Sequence, residues 1–312
     1  MIIDLFIFLC GVGILFVSGD FLVRSSIGFS IKMGVSPLII GLTIVAFGTS
    51  APELLVVVQA VWSGFEGLAL GNIVGSNIAN VLLVLGVPAL IISIDYTDQG
   101  IRRNYIFMLV ATLIFVLFLL TIGLTAIIGL LLILFLFVFL GSAIFFKNSH
   151  DYGLENNIFE SEKINLSASQ LIFFSFVGFF GLPIGAHMLI ASATRFAEEI
   201  GISEELVGLT LVAIGTSLPE LATSIIAAYR KEVKLILGNI IGSNMFNILG
   251  IGGIAALITP LNLGNELDTK SLVFLVISTL LILPFIFWKP SINRLVGISF
   301  IFLYFSYIIM LK

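Results

Sequence analysis

The chain has 312 residues, of which 59% are hydrophobic and 10% charged, with a mean hydropathy of +1.23 and a net charge of −4. A typical soluble domain carries about 25% charged residues, so this chain has too little polar surface to cover a fold in water. The composition therefore excludes a soluble globular domain, a disordered chain and a basic nucleic-acid-binding protein. It predicts an all-α integral membrane protein that crosses the bilayer several times.

Ten apolar runs follow one another along the chain, and each approaches the ~20 residues that a helix needs to cross a bilayer. The first run has no basic segment before it and no small-residue cleavage site behind it. It therefore predicts a membrane helix and not a removable signal peptide. The runs cover residues 2–27, 36–62, 67–93, 104–121, 124–146, 168–196, 205–229, 234–259, 269–288 and 291–311.

The longest polar stretch, residues 147–167, separates the fifth run from the sixth. It predicts a linker between two halves of five transmembrane helices each, residues 1–146 and 168–312. The linker shows no sign of a Ca²⁺-sensing domain.

The placement of lysine and arginine predicts the orientation in the membrane. Ten of these residues fall in odd-numbered connections between runs and three on the opposite face, while Arg24 lies inside the first run. By the positive-inside rule the odd-numbered connections, including the linker, are cytoplasmic and both termini are extracellular, as expected for a multi-pass protein of the cell membrane. The ten are Lys32, Arg102, Arg103, Lys147, Lys163, Arg230, Lys231, Lys234, Lys289 and Arg294, and the three are Arg195, Lys270 and Lys312.

Two stretches of the chain repeat each other at an offset of 167 residues. Residues 41–86 and 208–253 align without a gap and are identical at 23 of 46 positions, which indicates an internal duplication. Each copy covers the second and third helix of its half. Because five is an odd number, the second half starts on the opposite side of the membrane and is inverted relative to the first. Inverted repeats with a binding site at their interface are a common transporter architecture.

Three acidic residues lie well inside predicted helices, namely Asp20, Glu53 and Glu220. Asp20 has Arg24 four residues later and is predicted to pair with it. Glu53 and Glu220 are equivalent in the repeat, and each would cost about 2.5–3.5 kcal/mol at the bilayer centre if uncompensated. The two glutamates therefore predict an internal cation-binding cavity. The structural alternative is a buried pair that only stabilises helix contacts.

The residues before each glutamate predict a break in its helix. Both copies read Gly-Thr-Ser-x-Pro-Glu, and Thr49 and Thr216 share a helix face with Glu53 and Glu220. A proline inside a helix leaves the carbonyl four residues before it, here that of a glycine, without its amide donor. Unwound carbonyls beside a carboxylate can coordinate a cation. A simple kink is the structural alternative.

The second repeated motif is Gly-Asn-Ile-x-Gly-Ser-Asn-x-x-Asn. It places a hydroxyl and an amide on one face of the third and eighth helices, through Ser76 with Asn80 and Ser243 with Asn247. We expect these four side chains to contact ions or water at the ion site. The other asparagines of the motif are expected to hold helices together by hydrogen bonds, and they are Asn72, Asn77, Asn239 and Asn244.

All of these candidate ligands are oxygen atoms, the donor set that hard cations such as Ca²⁺ prefer. Zinc and copper sites need histidine or cysteine. The chain has one cysteine, Cys10, and two histidines, of which His150 lies in the linker and His187 is interpreted as a helix-packing residue. No motif for a zinc hydrolase, a nucleophilic serine or a nucleotide phosphate is present, so neither an enzyme nor a cofactor is expected.

The two motifs resemble the paired α-repeats of the calcium/cation antiporter superfamily and, within it, the prokaryotic sodium/calcium exchangers. Carried over position by position, the resemblance implies the ion contacts. The Ca²⁺ ligands would be Glu53 and Glu220 with the backbone carbonyls of Thr49 and Thr216, and the central site would be completed by Asn80 and Asn247. The Na⁺ contacts would be the carbonyls of Ala46 and Ala213 and the hydroxyls of Ser50, Ser76, Ser217 and Ser243.

The resemblance also bears on the coupling ion. Proton-coupled relatives carry Gly-Asn-x-x-Glu where this chain has Gly-Thr-Ser-x-Pro-Glu, which favours Na⁺. Potassium-dependent exchangers carry aspartate at the position of Asn247, so potassium co-transport is not expected. The family also implies more than two Na⁺ per Ca²⁺, which would make transport electrogenic.

The sequence therefore predicts a secondary antiporter that exchanges Na⁺ for Ca²⁺ by alternating access, with helices 1 and 6 as candidates for the moving gate. An empty pocket with two negative charges would be costly to occlude in a low dielectric. The alternatives are a Ca²⁺/H⁺ antiporter, a cation channel and a membrane enzyme. The expected partners are the two ions and the lipid bilayer, with no nucleic acid and no obligatory protein partner.

Overall fold

The computed structural model describes residues 2–95, 99–145, 166–199, 213–263, 269–288 and 290–310. Nearly all of the predicted linker, residues 147–167, and the start of the seventh run lie outside the described residues. The described chain is helical and contains no β-strand, only two isolated antiparallel β-bridges.

The described part of the first half contains eight α-helical segments and two π-helical turns. The α-helices are α1 Ile2–Met33, α2 Pro37–Ile40, α3 Ala46–Thr49, α4 Ala51–Trp62, α5 Glu66–Ala79, α6 Gly86–Ile91, α7 Gln99–Thr121 and α8 Ala126–Phe145. The π-helical turns cover Gly41–Val45, between α2 and α3, and Asn80–Val84, between α5 and α6.

The described part of the second half follows a similar order. Its α-helices are α9 Ala168–Glu199, α10 Ala213–Thr216, α11 Leu218–Tyr229, α12 Val233–Met245, α13 Gly252–Ile258, α14 Thr269–Leu281, α15 Leu283–Trp288 and α16 Arg294–Met310. A π-helical turn, Phe246–Ile251, joins α12 to α13.

Several helices extend beyond the predicted apolar runs. Helix α1 continues past residue 27, so that Lys32 lies in its last turn, and it ends before Gly34, whose φ is 61°. Helix α7 starts at Gln99, which places Arg102 and Arg103 inside its first turns. Long basic side chains can reach the polar interface from a helix end, so hydropathy places these boundaries too far inward.

The outer surface of the described chain is apolar and suited to lipid. Seven of the described helices are long and apolar enough to cross a membrane, or eight if the bent pair Pro37–Thr49 and Ala51–Trp62 is one span. Phe137 and Phe302 on the outside are 65% and 71% exposed. An apolar surface this extensive is not found on soluble proteins. The chain is therefore a multi-pass membrane protein.

The two spans that carry the second repeated motif lie at the centre of the fold. In Glu66–Ile91 and Val233–Ile258, 89% and 83% of an apolar stretch of 18 residues is buried inside the protein. The corresponding share in the other long spans is at most 44%. A span surrounded by protein on all sides can carry polar side chains that a lipid-facing helix cannot. The asparagine-rich motif therefore occupies the part of the protein most shielded from lipid.

The long helices α1 and α9 pack against each other in antiparallel orientation along most of their lengths. At one crossing the backbones nearly touch, because a Cβ atom added to Gly11 would lie 3.0 Å from the carbonyl oxygen of Gly185. Where α1 begins and α9 ends, Arg195 Nε lies 3.2 Å from Asp4 Oδ1. Small residues allow such close helix packing in membranes, and the two helices form one packed pair.

The two β-bridges are near-counterparts of each other in the repeat. One joins Ile94 to Ile292 and the other joins Leu124 to Leu261. Leu261 stands 167 residues after Ile94, the offset of the repeated motifs. The similarity of the two halves therefore extends to connections outside the motifs.

Candidate ion-binding site

The helix that carries Glu53 is broken, as predicted. The backbone leaves the helical conformation at Ser50, with φ −85° and ψ 3°, and the segments on either side meet at 44°. Pro52 explains the break, because it cannot donate a hydrogen bond to the carbonyl of Gly48. Ser217, with φ −88° and ψ 5°, precedes Glu220 in the same way. Both glutamates thus lie in the first turn of a helix that starts at a break.

Glycines let the first motif of one half touch the second motif of the other. A Cβ atom on Gly242 would lie 2.6 Å from Cβ of Ala46, and one on Gly238 would lie 2.5 Å from the carbonyl oxygen of Leu38. No larger residue fits at either position without moving backbone. The glycines of the second motif therefore bring α12 directly against α2 and α3.

Thr49 lies at the centre of this contact. Its Oγ1 is 3.2 Å from Asn239 Oδ1 and 3.4 Å from Ser243 Oγ. Asn239 in turn donates from Nδ2 to Ser224 Oγ at 3.3 Å. Asn239 was expected only to hold helices together, and the structure shows it beside the threonine of the glutamate motif.

The same contact recurs with the two halves exchanged. Ser76 Oγ and Thr216 Oγ1 lie 3.4 Å apart, which matches the distance between Ser243 and Thr49. All four side chains are buried. The predicted hydroxyl and threonine positions are thus brought together twice, once in each combination of halves.

Both glutamates of the repeated motif are shielded from lipid, and one of them bonds to the opposite half. Both side chains are fully buried, with 0% exposure. Ser50, three residues before Glu53, donates from Oγ to Glu220 Oε1 at 3.1 Å. The structure therefore brings the glutamates of both copies of the motif into one buried region, away from lipid.

The predicted site residues leave several buried oxygens without a hydrogen-bond partner. Buried polar atoms almost always have such partners, and a cation coordinated by these oxygens would take the place of the missing donors. Carboxylate, amide and hydroxyl oxygens are the ligands that a hard cation takes. The unpartnered atoms are both Oε atoms of Glu53, Oε2 of Glu220, Oδ1 of Asn80 and Asn247, and Oγ of Ser217. Oδ1 of Asn77, which was expected to hold helices together, is also without a partner.

The described residues contain no group of three or more His, Cys, Asp and Glu side chains that could hold a metal ion. A cation bound between the two glutamates would therefore depend on neutral oxygens for the rest of its coordination.

π-helical turns mark both asparagines that were predicted to complete the site. The amide of Leu85 donates to the carbonyl of Asn80 at 3.2 Å, five residues back, and the amide of Gly252 makes the same bond to Asn247. Such single turns are frequent at functional sites. The sequence does not predict them, since nothing in the motif departs from an α-helical pattern.

Three residues of the repeated motifs have a less evident place at the site, namely Ala46, Ala213 and Asn72. The carbonyl of Ala46 already accepts a hydrogen bond from the amide of Ser50 at 3.0 Å. Thr49 Oγ1 lies 3.3 Å from the same carbonyl oxygen and is a second donor to it. The side chains of Ala213 and its neighbour Ile214 lie outside the described residues. Asn72 is only half buried and forms no described bond to the site.

Asp20 pairs with Arg24, as predicted, at 2.7 Å between Oδ2 and Nε. It also accepts from Arg230, whose Nε lies 3.0 Å from Oδ1. Arg230 directly follows α11, so this second pair joins α1 to the helix that carries Glu220. The spacing of residues in the sequence does not predict this pair. His187 is exposed in the structure, so its interpretation as a helix-packing residue is wrong.

Comparison with known proteins places this geometry in a family. The family model described as sodium/calcium exchanger protein matches residues 3–145 and again residues 170–312. The sodium/calcium exchanger MaX1 of Methanosarcina acetivorans is 31% identical over 99% of this chain and 98% of its own length. The inner membrane protein YrbG of Escherichia coli is 33% identical over 92% of this chain and 90% of its own length.

A solved structure shares the whole fold. The sodium-calcium exchanger NCX_Mj, soaked with 2.5 mM Na⁺ and 0.1 mM Ca²⁺, superposes with a TM-score of 0.87 at 31% identity, covering 100% of this chain and 99% of that one. The fold and the family match thus define the class of this protein, a membrane transporter of the exchanger type. The chain belongs to the sodium/calcium exchanger family, within the calcium/cation antiporter superfamily.

Proposed function

We propose that this protein is a secondary active antiporter that exchanges Na⁺ for Ca²⁺ by alternating access. The observation that carries the proposal is the buried contact between Ser50 and Glu220, which unites the glutamate motifs of both halves in a region with unpartnered oxygens. In this proposal ten transmembrane helices form two inverted halves, and both termini are extracellular.

The proposed Ca²⁺ ligands are Glu53 and Glu220, the carbonyls of Thr49 and Thr216, and the amide oxygens of Asn80 and Asn247. The carboxylates supply two negative charges, and the neutral oxygens complete a coordination of six to eight that Ca²⁺ accepts in flexible geometry. The proposed Na⁺ contacts use the same region, which makes the ions compete. They are the carbonyls of Ala46 and Ala213 and the hydroxyls of Ser50, Ser76, Ser217 and Ser243.

Competition for one pocket explains exchange without leak. Two uncompensated carboxylates in a low dielectric are costly to occlude, whereas a pocket filled by one Ca²⁺ or by Na⁺ ions is not. The protein would then change between outward and inward states mainly when loaded. If more than two Na⁺ move for each Ca²⁺, exchange carries net charge and responds to membrane potential. Transport would not require potassium, because position 247 carries asparagine and the proposed ligands include two carboxylates.

Flux measurements on the purified protein in liposomes test the proposal. Vesicles loaded with Na⁺ should accumulate Ca²⁺ from a Na⁺-free medium, and Glu53→Gln or Glu220→Gln should lower that uptake at least about 100-fold, because each removes half of the charge that balances Ca²⁺. Glu66→Gln is the matched control, since Glu66 is exposed at the start of α5. Uptake unchanged in either site variant would overturn the site assignment.

The same vesicles separate the alternatives. Uptake driven by a pH gradient without Na⁺ would indicate a Ca²⁺/H⁺ antiporter, and Ca²⁺ flux without any counter-ion would indicate a channel. If more than two Na⁺ leave for each Ca²⁺ that enters, net positive charge moves outward, and an inside-negative potential should slow Ca²⁺ entry. Replacement of potassium by choline should leave the rate unchanged.

A further inference from the structure

A chain of side-chain contacts leads from the fourth membrane span to the proposed ion site. Asn80 donates from Nδ2 to Asn244 Oδ1 at 3.5 Å, and Asn244 donates from its own Nδ2 to Met108 Sδ at 3.5 Å. The three side chains are at most 2% exposed. Met108 lies on α7, outside both repeated motifs, and has no place in the proposed coordination.

The thioether of Met108 determines which atom donates in each of these hydrogen bonds. The sulfur of methionine can accept a hydrogen bond but cannot donate one. The atom of Asn244 that faces Met108 must therefore be the amide nitrogen, which turns its oxygen toward Asn80. Asn80 must then donate from its own nitrogen, and its oxygen is left over. That oxygen is one of the buried atoms without a partner.

We infer that Met108 is a positioning residue, which determines that Asn80 presents its oxygen and not its NH₂ group to the cation. The inference rests on the proposed function, in which Asn80 lies at the ion site. An amide can turn over and exchange its two ends with little change in shape. A cation binds one end and is repelled by the other, so an acceptor at the far end of the chain favours the binding-competent orientation.

Among the described residues, the second half shows no counterpart of this series of hydrogen bonds. The counterpart of Met108 at the 167-residue offset is Leu275, which has no acceptor in its side chain. Asn77, the counterpart of Asn244, donates from Nδ2 to the carbonyl of Ile73 in its own helix at 2.7 Å. Neither amide atom of Asn247 has a partner. The orientation of Asn80 is therefore fixed by contacts, and that of Asn247 is left to the ion.

Equilibrium binding of radioactive Ca²⁺ to the purified full-length protein in detergent tests the inference. Met108→Leu conserves volume but removes the acceptor, and we expect roughly three- to tenfold weaker Ca²⁺ binding, the effect of one hydrogen bond. Met108→Gln keeps an acceptor oxygen and should bind Ca²⁺ within about twofold of the wild type. Leu275→Met is the matched change in the other half. Its Ca²⁺ binding should also stay within about twofold of the wild type, because no series of amide hydrogen bonds ends at residue 275.

A second background separates orientation from packing. In Asn80→Asp both terminal atoms are oxygens, so turning the group over changes nothing, and Met108→Leu should then alter Ca²⁺ binding by less than about twofold. An equal loss in the wild-type and Asn80→Asp backgrounds, or no loss in the wild-type background, overturns the inference while the ion site stands. If the wild-type protein binds no Ca²⁺, the proposed site fails and the inference fails with it.

Discussion

The two halves of the protein carry the same glutamate motif and hold their glutamates differently. Glu220 accepts a hydrogen bond from Ser50 of the opposite half. Its counterpart Glu53 has no bond at either oxygen, and Ser217, the counterpart of Ser50, has an unpartnered hydroxyl. Nearly identical sequences would predict two equal contacts. The difference shows that the halves adopt different conformations in the same structure.

The outer helices show the same inequality. Helix α1 packs against α11, where a Cβ atom on Gly19 would lie 3.6 Å from the backbone of Ala222. Among the described residues, the corresponding packing of α9 on α4 is nearly absent. Leu55, the counterpart of Ala222, is 70% exposed, whereas Ala222 is 6% exposed. One end of the interface is therefore covered and the other is not.

Alternating access requires an inequality of this kind, because a transporter built from inverted repeats opens by exchanging the conformations of its halves. The covered end is the one at which Arg230 pairs with Asp20. On the orientation predicted from the sequence that end is cytoplasmic, and the structure would then correspond to an outward-facing state.

The largest expected effect concerns the serines that precede the two glutamates. Ser50→Ala removes the hydrogen bond from Ser50 Oγ to the Glu220 carboxylate and should weaken Ca²⁺ binding about tenfold, since a bond to a charged group contributes about 1.5–3 kcal/mol. Ser217→Ala removes no described bond and should weaken it less than about threefold. Ca²⁺ titrations measure the difference. They are done without Na⁺, because both serines are also proposed Na⁺ contacts. Equal losses would contradict the prediction, because they would mean that the different bonding of the two serines has no effect on Ca²⁺ binding.

A smaller effect is expected from the ion pair that holds α1 on α11. Asp20→Asn removes the charge that Arg230 contacts, and a partly exposed pair contributes up to about 1 kcal/mol. The uncovered arrangement of α11 should therefore become about fivefold more populated. Spin labels at the exposed positions Met33 and Tyr229 would report a second distance between α1 and α11.

Asp4→Asn is the matched control for this change. Asp4 also lies on α1, but its described ion pair is with Arg195 on α9, so it does not join α1 to α11. The distance distribution should stay as in the wild type. A second distance in Asp4→Asn, or none in Asp20→Asn, would contradict the role of the Asp20–Arg230 pair.

The glutamate motifs and the helix breaks could be predicted from the sequence because their causes are local. Pro52 stands one residue before Glu53, and its missing amide breaks the helix wherever the helix lies. The equivalence of Glu53 and Glu220 follows from the repeat. The apolar runs followed from composition, although Arg102 and Arg103 show that charged residues can belong to a helix end.

The differences between the halves could not be predicted, because a duplicated sequence describes both copies alike. The partners of Asp20 and Asn244 stand 210 and 136 residues away in the chain. No periodicity relates residues at such distances. His187 was misassigned for a related reason, since a helix that is apolar all round gives no sign of which face meets other helices.

The smallest expected effect concerns a turn that the halves share in shape but not in sequence. After α4 the chain turns at Gly64 with φ 78°, and after α11 it turns at the equivalent Lys231 with φ 61°. The left-handed conformation costs a residue with a Cβ atom about 1–2 kcal/mol relative to glycine, and glycine loses about 0.5–1 kcal/mol more backbone entropy on folding. Lys231→Gly should therefore stabilise the protein by about 0.5–1 kcal/mol, and Gly64→Ala should destabilise it by a similar amount.

Thermal unfolding in detergent measures both changes. No atom lies within 4 Å of a Cβ added to Gly64, so Gly64→Ala changes the backbone preference without a steric clash. Shifts of the unfolding temperature in opposite directions would show that the two turns have the same backbone constraint. The two halves would then have kept the same turn although the residue at its left-handed position differs. A loss of stability in Lys231→Gly would instead mean that the lysine side chain contributes more than its strained backbone costs.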